Sequence, residues 1–214
     1  MGTKNYLNNL NNRLKMLNIL NSGYKKILKL FHIGKTTFYL REIAKKTKLN
    51  ENTVFRFLNK LEKEKILKSE KQGNLKLFSL RKNKQTYAIL TFFDIEKYEK
   101  LPDIRKTAIT HYLNSLSKQP IFAILFGSTA KETYRNDSDI DILLITNEKI
   151  NTQYAENEAD AQSALKVSTF QMTYKYFLKE LKLNEDPVVQ SAINTGYPLL
   201  NYIQYYEVLN NETI

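Results

Sequence analysis

Apolar positions change their period several times along this chain, and each change marks an element. From Asn5 to Leu20, the residues Tyr6, Leu7, Leu10, Leu14, Leu17 and Leu20 fall at helical spacing over an Asn- and Lys-rich opposite face. That pattern predicts a packing helix, one able to line a dimer seam. A second helix is predicted from about Tyr24 to His32, stopping near Gly34. Leu40, Ile43 and Ala44 then make the apolar face of a short helix, and Lys48-Leu49-Asn50 forms a turn. Val54, Phe57, Leu58 and Leu61 come next at i, i+3, i+4 and i+7, the stripe of a longer helix. Asn50 or Asn52 can cap that helix by accepting from its unpaired backbone N–H groups. Between Ile66 and Leu80 the period moves to two: Leu75 and Leu77 alternate after a Gln72-Gly73-Asn74 turn, which predicts a β-hairpin.

Residues 85–119 read as helical again. Pro102 opens a stretch that carries Ile104, Ala108, Ile109, Tyr112, Leu113 and Leu116, and the whole of 85–119 is read as a connector that also packs on the second domain. Ile121 to Phe126 is an apolar run between Pro120 and Gly127, as a buried strand requires. Gly127-Ser128 turns the chain into a helix expected to run about two turns, and Asp139 to Ile145 forms the next strand. From Tyr174 to Asn210 the pattern predicts helices broken at Asp186-Pro187 and at Gly196-Tyr197-Pro198. The aromatics Tyr197, Tyr202, Tyr205 and Tyr206 suit helix packing better than stacking on a base.

Composition narrows the chemistry. The 214 residues hold no cysteine and only two histidines, His32 and His111, which excludes disulfides, thiolate metal sites, a cysteine nucleophile and a histidine-rich zinc centre. No apolar run approaches a membrane span, and the first fifteen residues lack a signal-peptide core. The expectation is a cytoplasmic protein with no membrane partner. The net charge of +11 is uneven: residues 1–100 hold 23 Lys and Arg against 8 Asp and Glu, and residues 101–214 hold 10 against 14. AT-rich codon usage enriches Lys, Asn, Ile and Tyr, but it would charge both halves alike. The asymmetry instead points to a nucleic-acid-binding module joined to a different one.

Helix, turn, helix and hairpin in this order resembles the winged helix-turn-helix regulators over residues 22–82, with LREIAKKTKLNENTVFRFLNKLEKEKILK the most similar stretch. The resemblance implies that the second helix of the motif lies in the major groove of double-stranded DNA and the hairpin along the backbone. The residues it implicates are Asn52, Thr53, Arg56 and Lys60, with Lys71 and Lys76 on the wing. Phe55 departs from the pattern, since a small polar residue is commoner there; it can meet a thymine methyl or another protein. The same cations also suit a plain solvated helix face.

Residues 120–146, PIFAILFGSTAKETYRNDSDIDILLIT, carry the chemistry. A glycine between strand and helix lets a phosphate approach the backbone, with Ser128 as an added donor. Asp139 and Asp141 stand two apart on one strand and therefore share a face, while Ile140 and Ile142 point into the core. Two carboxylates on a rigid edge beside a phosphate cradle make a site for Mg²⁺, which prefers oxygen ligands and bridges phosphates. Gly127-Ser128, ten residues, then Asp139-Ile140-Asp141 is similar to the signature of the DNA polymerase β-like nucleotidyltransferases, in particular the minimal nucleotidyltransferases, over about residues 105–210. Ser138 also matches; Lys131 and Glu132 stand where Arg and Gly are commoner.

The resemblance implies that Gly127, Ser128 and Lys131 hold an NTP, with ATP expected, and that Asp139 and Asp141 are the catalytic metal ligands. NMP would pass to an acceptor, and a small helical partner protein is common in such systems. It also implies a third carboxylate on a later strand. Leu165 to Met172 is that strand by position; it holds no Asp or Glu, Gln171 is no base, and Glu158 and Asp160 lie on the preceding helix. The expected fold is α+β, with a winged helix-turn-helix domain at 1–100 and a nucleotidyltransferase domain, a mixed sheet with helices, at 101–214. Two functions stay open: a DNA-binding protein that binds Mg-NTP and transfers NMP, or a transcriptional regulator whose second domain is an inactive nucleotide sensor or dimerisation module; in either, the first helix and the winged-helix resemblance make a homodimer the expectation.

Overall fold

The computed structural model describes residues 23–32 and 36–212. The helix expected at Asn5–Leu20, its dimer seam, and the stop near Gly34 lie outside them. The described chain divides into two compact units, ending and beginning at Arg81 and Lys82.

In the first unit, α1 (Gly23–His32) buries Ile27, Leu28 and Phe31. A short strand that the periodicity did not announce, β1 (Thr37–Tyr39), leads into α2 (Leu40–Thr47). Glu42 caps the start of α2, its Oε2 accepting from the Tyr39 N–H at 2.8 Å. Lys48, left-handed at φ 56°, ends it. Helix α3 (Glu51–Lys63) is capped by Asn50, whose Oδ1 accepts from the Asn52 N–H at 2.9 Å. Its buried stripe is Val54, Leu58 and Leu61. Phe57, beside that stripe, stacks on Tyr24 at 4.0 Å between centroids. A Cβ on Gly23 would stand 2.2 Å from the Phe57 ring, so glycine is what lets α1 and α3 close together there.

Strands β2 (Leu67–Gln72) and β3 (Leu75–Leu80) form the expected hairpin, with Gln72 opposite Leu75. Gly73 takes the first loop position at φ +61°, which a two-residue hairpin loop of the II′ type reserves for glycine. The phase differs from the simple alternation of Leu75 and Leu77: Phe78 is the buried residue and Leu75 is 57% exposed, because the hairpin tip projects beyond the core. β1 joins the outer edge of β3, giving an antiparallel sheet of order β1-β3-β2.

The second unit begins with α4 (Lys84–Glu99) and α5 (Asp103–Asn114). The expected boundary at 100/101 is therefore displaced. Helix α4 packs on the C-terminal helix α10 (Tyr202–Glu212), where Tyr206 donates its hydroxyl proton to fully buried Asp94 at 2.6 Å and its ring stacks on Tyr87. A helix anchored through a buried carboxylate belongs to the body that buries it, not to a connector. Ile104 of α5, counted among its apolar residues, is exposed; Ala108, Ile109 and Tyr112 are buried.

A mixed four-stranded sheet of order β6-β5-β4-β7 forms the middle layer of this α+β unit. β4 (Phe122–Phe126) and β5 (Ile140–Thr146) pair antiparallel, β5 and β6 (Val167–Thr173) pair parallel, and β7 (Tyr197–Pro198) closes the other edge. Ile140, Ile142 and Leu144 face α5 and the crossover helix α7 (Gln153–Ser163). Phe122, Ile124, Phe126, Leu143 and Ile145 face α8 (Tyr174–Leu183), α9 (Pro187–Thr195) and α10. The breaks predicted at Asp186-Pro187 and around Gly196 hold: Asp186 caps α9, and Tyr197 and Tyr205 are buried as packing residues. No helix among the described residues is long and apolar enough to cross a membrane.

Candidate functional site

Strand β4 is buried along its whole length and ends where Gly127 turns the chain at φ +67°. The helix after it, α6 (Gly127–Ala130), is one turn and not two. Its end is closed by Lys131 N–H to Gly127 C=O at 3.2 Å and Thr133 N–H to Ser128 C=O at 3.0 Å. A single turn aligns few peptide dipoles, so an anion held here would rest on the local backbone and the Ser128 hydroxyl more than on a helix end. That hydroxyl makes no hydrogen bond among the described residues, and Ser128 is half-buried.

The antiparallel register sets Phe126 opposite Asp141, which brings the glycine turn against the aspartate. A Cβ built on Gly127 would lie 2.0 Å from Asp141 Oδ2. The glycine is thus required twice, by its left-handed φ and by the carboxylate packed on its Cα. Asp139 precedes β5 and shares the face of Asp141. Its Oδ2 accepts from Ser168 Oγ–H at 2.9 Å and lies 3.7 Å from Lys166 Nζ. Burial, and then the neighbouring Asp139 charge, hold the Asp141 carboxyl above its ordinary range. Two crowded carboxylates with an all-oxygen donor set have the chemistry that suits a divalent cation such as Mg²⁺. No cluster of three or more His, Cys, Asp or Glu suited to a metal occurs among the described residues, so such an ion would draw its other ligands from water and phosphate.

Strand β6 decides what else faces the pair. Its parallel register sets Ser168 beside Asp141 and Phe170 beside Leu143. Ser168 and Phe170 therefore share the aspartates' face, where no carboxylate stands. Gln171 points to the opposite face, exchanging hydrogen bonds with both the N–H and C=O of Ile150 at 3.1 and 2.9 Å. Glu158 and Asp160 ride on α7, which packs against that same opposite face, so neither reaches the pair.

Residues 107–202 match the family model for polymerase beta, nucleotidyltransferase. The second unit carries a nucleotidyltransferase-like domain. No curated protein matches the chain. Within this domain the structure unites Gly127, Ser128, Asp139 and Asp141; Lys131 instead sits exposed at the far end of the turn, with no hydrogen bond or ion pair to either aspartate. Sequence reasoning missed Arg105 of α5, which is 2% exposed. Its guanidinium donates to Thr129 Oγ1 at 2.9 Å, to Arg135 C=O at 2.8 Å and to Ser138 C=O at 3.1 Å, and lies 4.0 Å from the centre of the Tyr134 ring. It ties the glycine turn to the loop that delivers Asp139. Sequence reasoning also left out Lys166 and Ser168, which contact Asp139, and Phe170 on the same face; no local pattern in the strand after α7 marks them.

In the first unit, Asn52 and Arg56 lie exposed on the outer side of α3 and Thr53 is half-buried. Lys60 is exposed with its ammonium 5.3 Å from the Tyr24 ring centre. Lys71 and Lys76 oppose each other across the hairpin, and Lys76 lies 3.9 Å from Glu62. Phe55, 53% exposed, shares this open side.

Proposed function

We propose that the protein binds double-stranded DNA through a winged helix-turn-helix in its first unit, and binds a nucleoside triphosphate with Mg²⁺ in its nucleotidyltransferase-like domain. The observation that carries the nucleotide reading is the approach of Gly127 to Asp141, which leaves a side-chain-free turn directly beside two carboxylates. Gly127 and Ser128 receive phosphate oxygens; Asp139 and Asp141 hold the ion. Bound there, Mg²⁺ would neutralise charge on the triphosphate. DNA binding is supported by the order helix, turn, helix, hairpin, by exposed Asn52, Arg56, Lys60, Lys71 and Lys76, and by the excess of Lys and Arg before residue 100.

For the domain's output we favour nucleotide-responsive regulation over NMP transfer. Transfer requires a group to take the proton of an acceptor hydroxyl, and Ser168 and Phe170 face the aspartates where a carboxylate would serve. NMP transfer remains the second reading, favoured by the intact aspartate pair on one face.

Calorimetric titration of the full chain with each NTP, with and without Mg²⁺, tests the site. Mg²⁺-dependent binding that disappears in Asp141→Ala is the expected result; no binding to any NTP refutes it. Incubation of the NTP-bound protein with α-labelled nucleotide separates the two outputs, since label carried onto protein or nucleic acid would establish transfer. On a duplex of mixed sequence, affinity should fall steeply as salt rises; a flat response refutes the DNA reading.

A further inference from the structure

Phe170 is a phenylalanine on a sheet edge, 39% exposed, on the same face as the aspartate pair. Its ring is packed from one side and open to water on the rest of its surface, two residues along β6 from Ser168, the register partner of Asp141. Its ring meets that of Phe126 edge-to-face at 5.5 Å between centroids. Phe126 belongs to β4 and Phe170 to β6, with β5 between them, so the two rings touch across the strand that carries Asp141. Phe126 is itself buried and opposes Asp141 in the register, directly before Gly127. The exposed ring is therefore braced by Phe126, on the aspartates' face one pair along the register from Asp141, and open on its remaining side.

We propose that Phe170 is the platform on which the base of the bound nucleotide stacks, which gives the site its preference for nucleotides over base-free polyphosphates. The inference rests on the nucleotide reading given above. A flat apolar ring held rigid by a second ring fits a heteroaromatic base, whose face gains dispersion and sheds water on stacking. The phosphates would then run from Phe170 past Asp141 to the Gly127-Ser128 turn, all on one face of the sheet. Ser168, between them on β6, is small and already engaged with Asp139. Any base offers a π-face, so the platform discriminates nucleotides from base-free polyphosphates more sharply than one base from another.

The test compares Mg²⁺-ATP with Mg²⁺-tripolyphosphate, which keeps the charge and drops the base and sugar. Phe170→Ala should weaken ATP binding about tenfold or more, the range of one base on one ring, and leave tripolyphosphate binding unchanged. Phe170→Trp should bind ATP at least as well as the original. Phe170→Leu keeps apolar volume without a ring and should resemble the alanine variant; it replaces that variant where alanine fails to fold. Equal ATP affinity in Phe170→Ala and the original overturns the platform alone. So does parallel loss of ATP and tripolyphosphate binding, which would mean the ring only supports the fold. An original protein that binds neither ligand refutes the nucleotide site itself, and the platform with it.

Discussion

Replacing Arg105 by Met should loosen the hinge between the glycine turn and the loop that delivers Asp139. Methionine keeps the apolar stem and removes every guanidinium donor. Three acceptors lose their partner: Thr129 Oγ1, Ser138 C=O and Arg135 C=O. Thr129 is fully buried, so its oxygen cannot recruit water and keeps only its own long donation to Asp139 C=O at 3.5 Å; the exposed Arg135 can recover a partner from solvent. Each buried polar group left unpaired costs about 1–3 kcal/mol, and the stack on Tyr134 is lost as well. Against this, burial disfavours the charged guanidinium and pulls its pKa below the ordinary value, a penalty the methionine does not carry. The net expectation is a loss of about 3 kcal/mol, or roughly 10 °C in melting temperature for a unit of this size. Near-ultraviolet circular dichroism suits the measurement, because eleven of the fourteen tyrosines fall in residues 82–214 and the chain has no tryptophan. Mg²⁺-NTP affinity measured well below the transition should fall too, since Gly127 and Asp139 lose their common tether. Melting within about 2 °C of the original, with unchanged affinity, would refute the reasoning.

Gly127→Ala forces a side chain into the left-handed region and onto the Asp141 carboxylate, costing about 1–2 kcal/mol from the backbone alone; calorimetry should find Mg²⁺-NTP binding reduced at least tenfold, and normal binding would mean that Asp141 plays no part. The raised Asp141 pKa has a definite sign: the folded state holds this proton more tightly than the unfolded chain, so ionised Asp141 costs stability at neutral pH and the cost fades as pH falls through the carboxylate range. Metal-free Asp141→Asn should therefore melt higher than the original at pH 7 and converge with it at low pH, and a lower melting temperature at pH 7 would contradict that sign. Tyr206→Phe removes the hydroxyl that donates to buried Asp94 and should destabilise the second unit by about 1–3 kcal/mol; an unchanged urea midpoint would remove the case for anchoring α4 there.

Much of this protein was legible in its own residues because the relevant physics is local. The stripe of Val54, Leu58 and Leu61, the Asn50 cap, the Gly73 turn and the Pro187 break come from side-chain period and backbone preference within a few residues. The same holds for the apolar strand ending at Gly127 and for the shared face of Asp139 and Asp141. The length of α6 escaped, since nothing within GSTAKET distinguishes one turn from two; the bonds that close it after Ala130 do.

What only the tertiary structure decided involves partners far apart in the chain. Whether Ser168 and Phe170 or Thr169 and Gln171 face the aspartates depends on the register of β6 against β5, and a shift of one residue would exchange the two sets. That register is set by the burial of Val167 against α5 and α7, by the Tyr112–Thr169 hydrogen bond, and by Gln171 on Ile150. Arg105 is an ordinary helix residue until α5 is laid beside the turn that holds Thr129, and α4 looks like a connector until Asp94 meets Tyr206, 112 residues away. The sequence alone names the two aspartates and the glycine; packing alone determines that a serine and an exposed ring, in place of a third carboxylate, stand beside them.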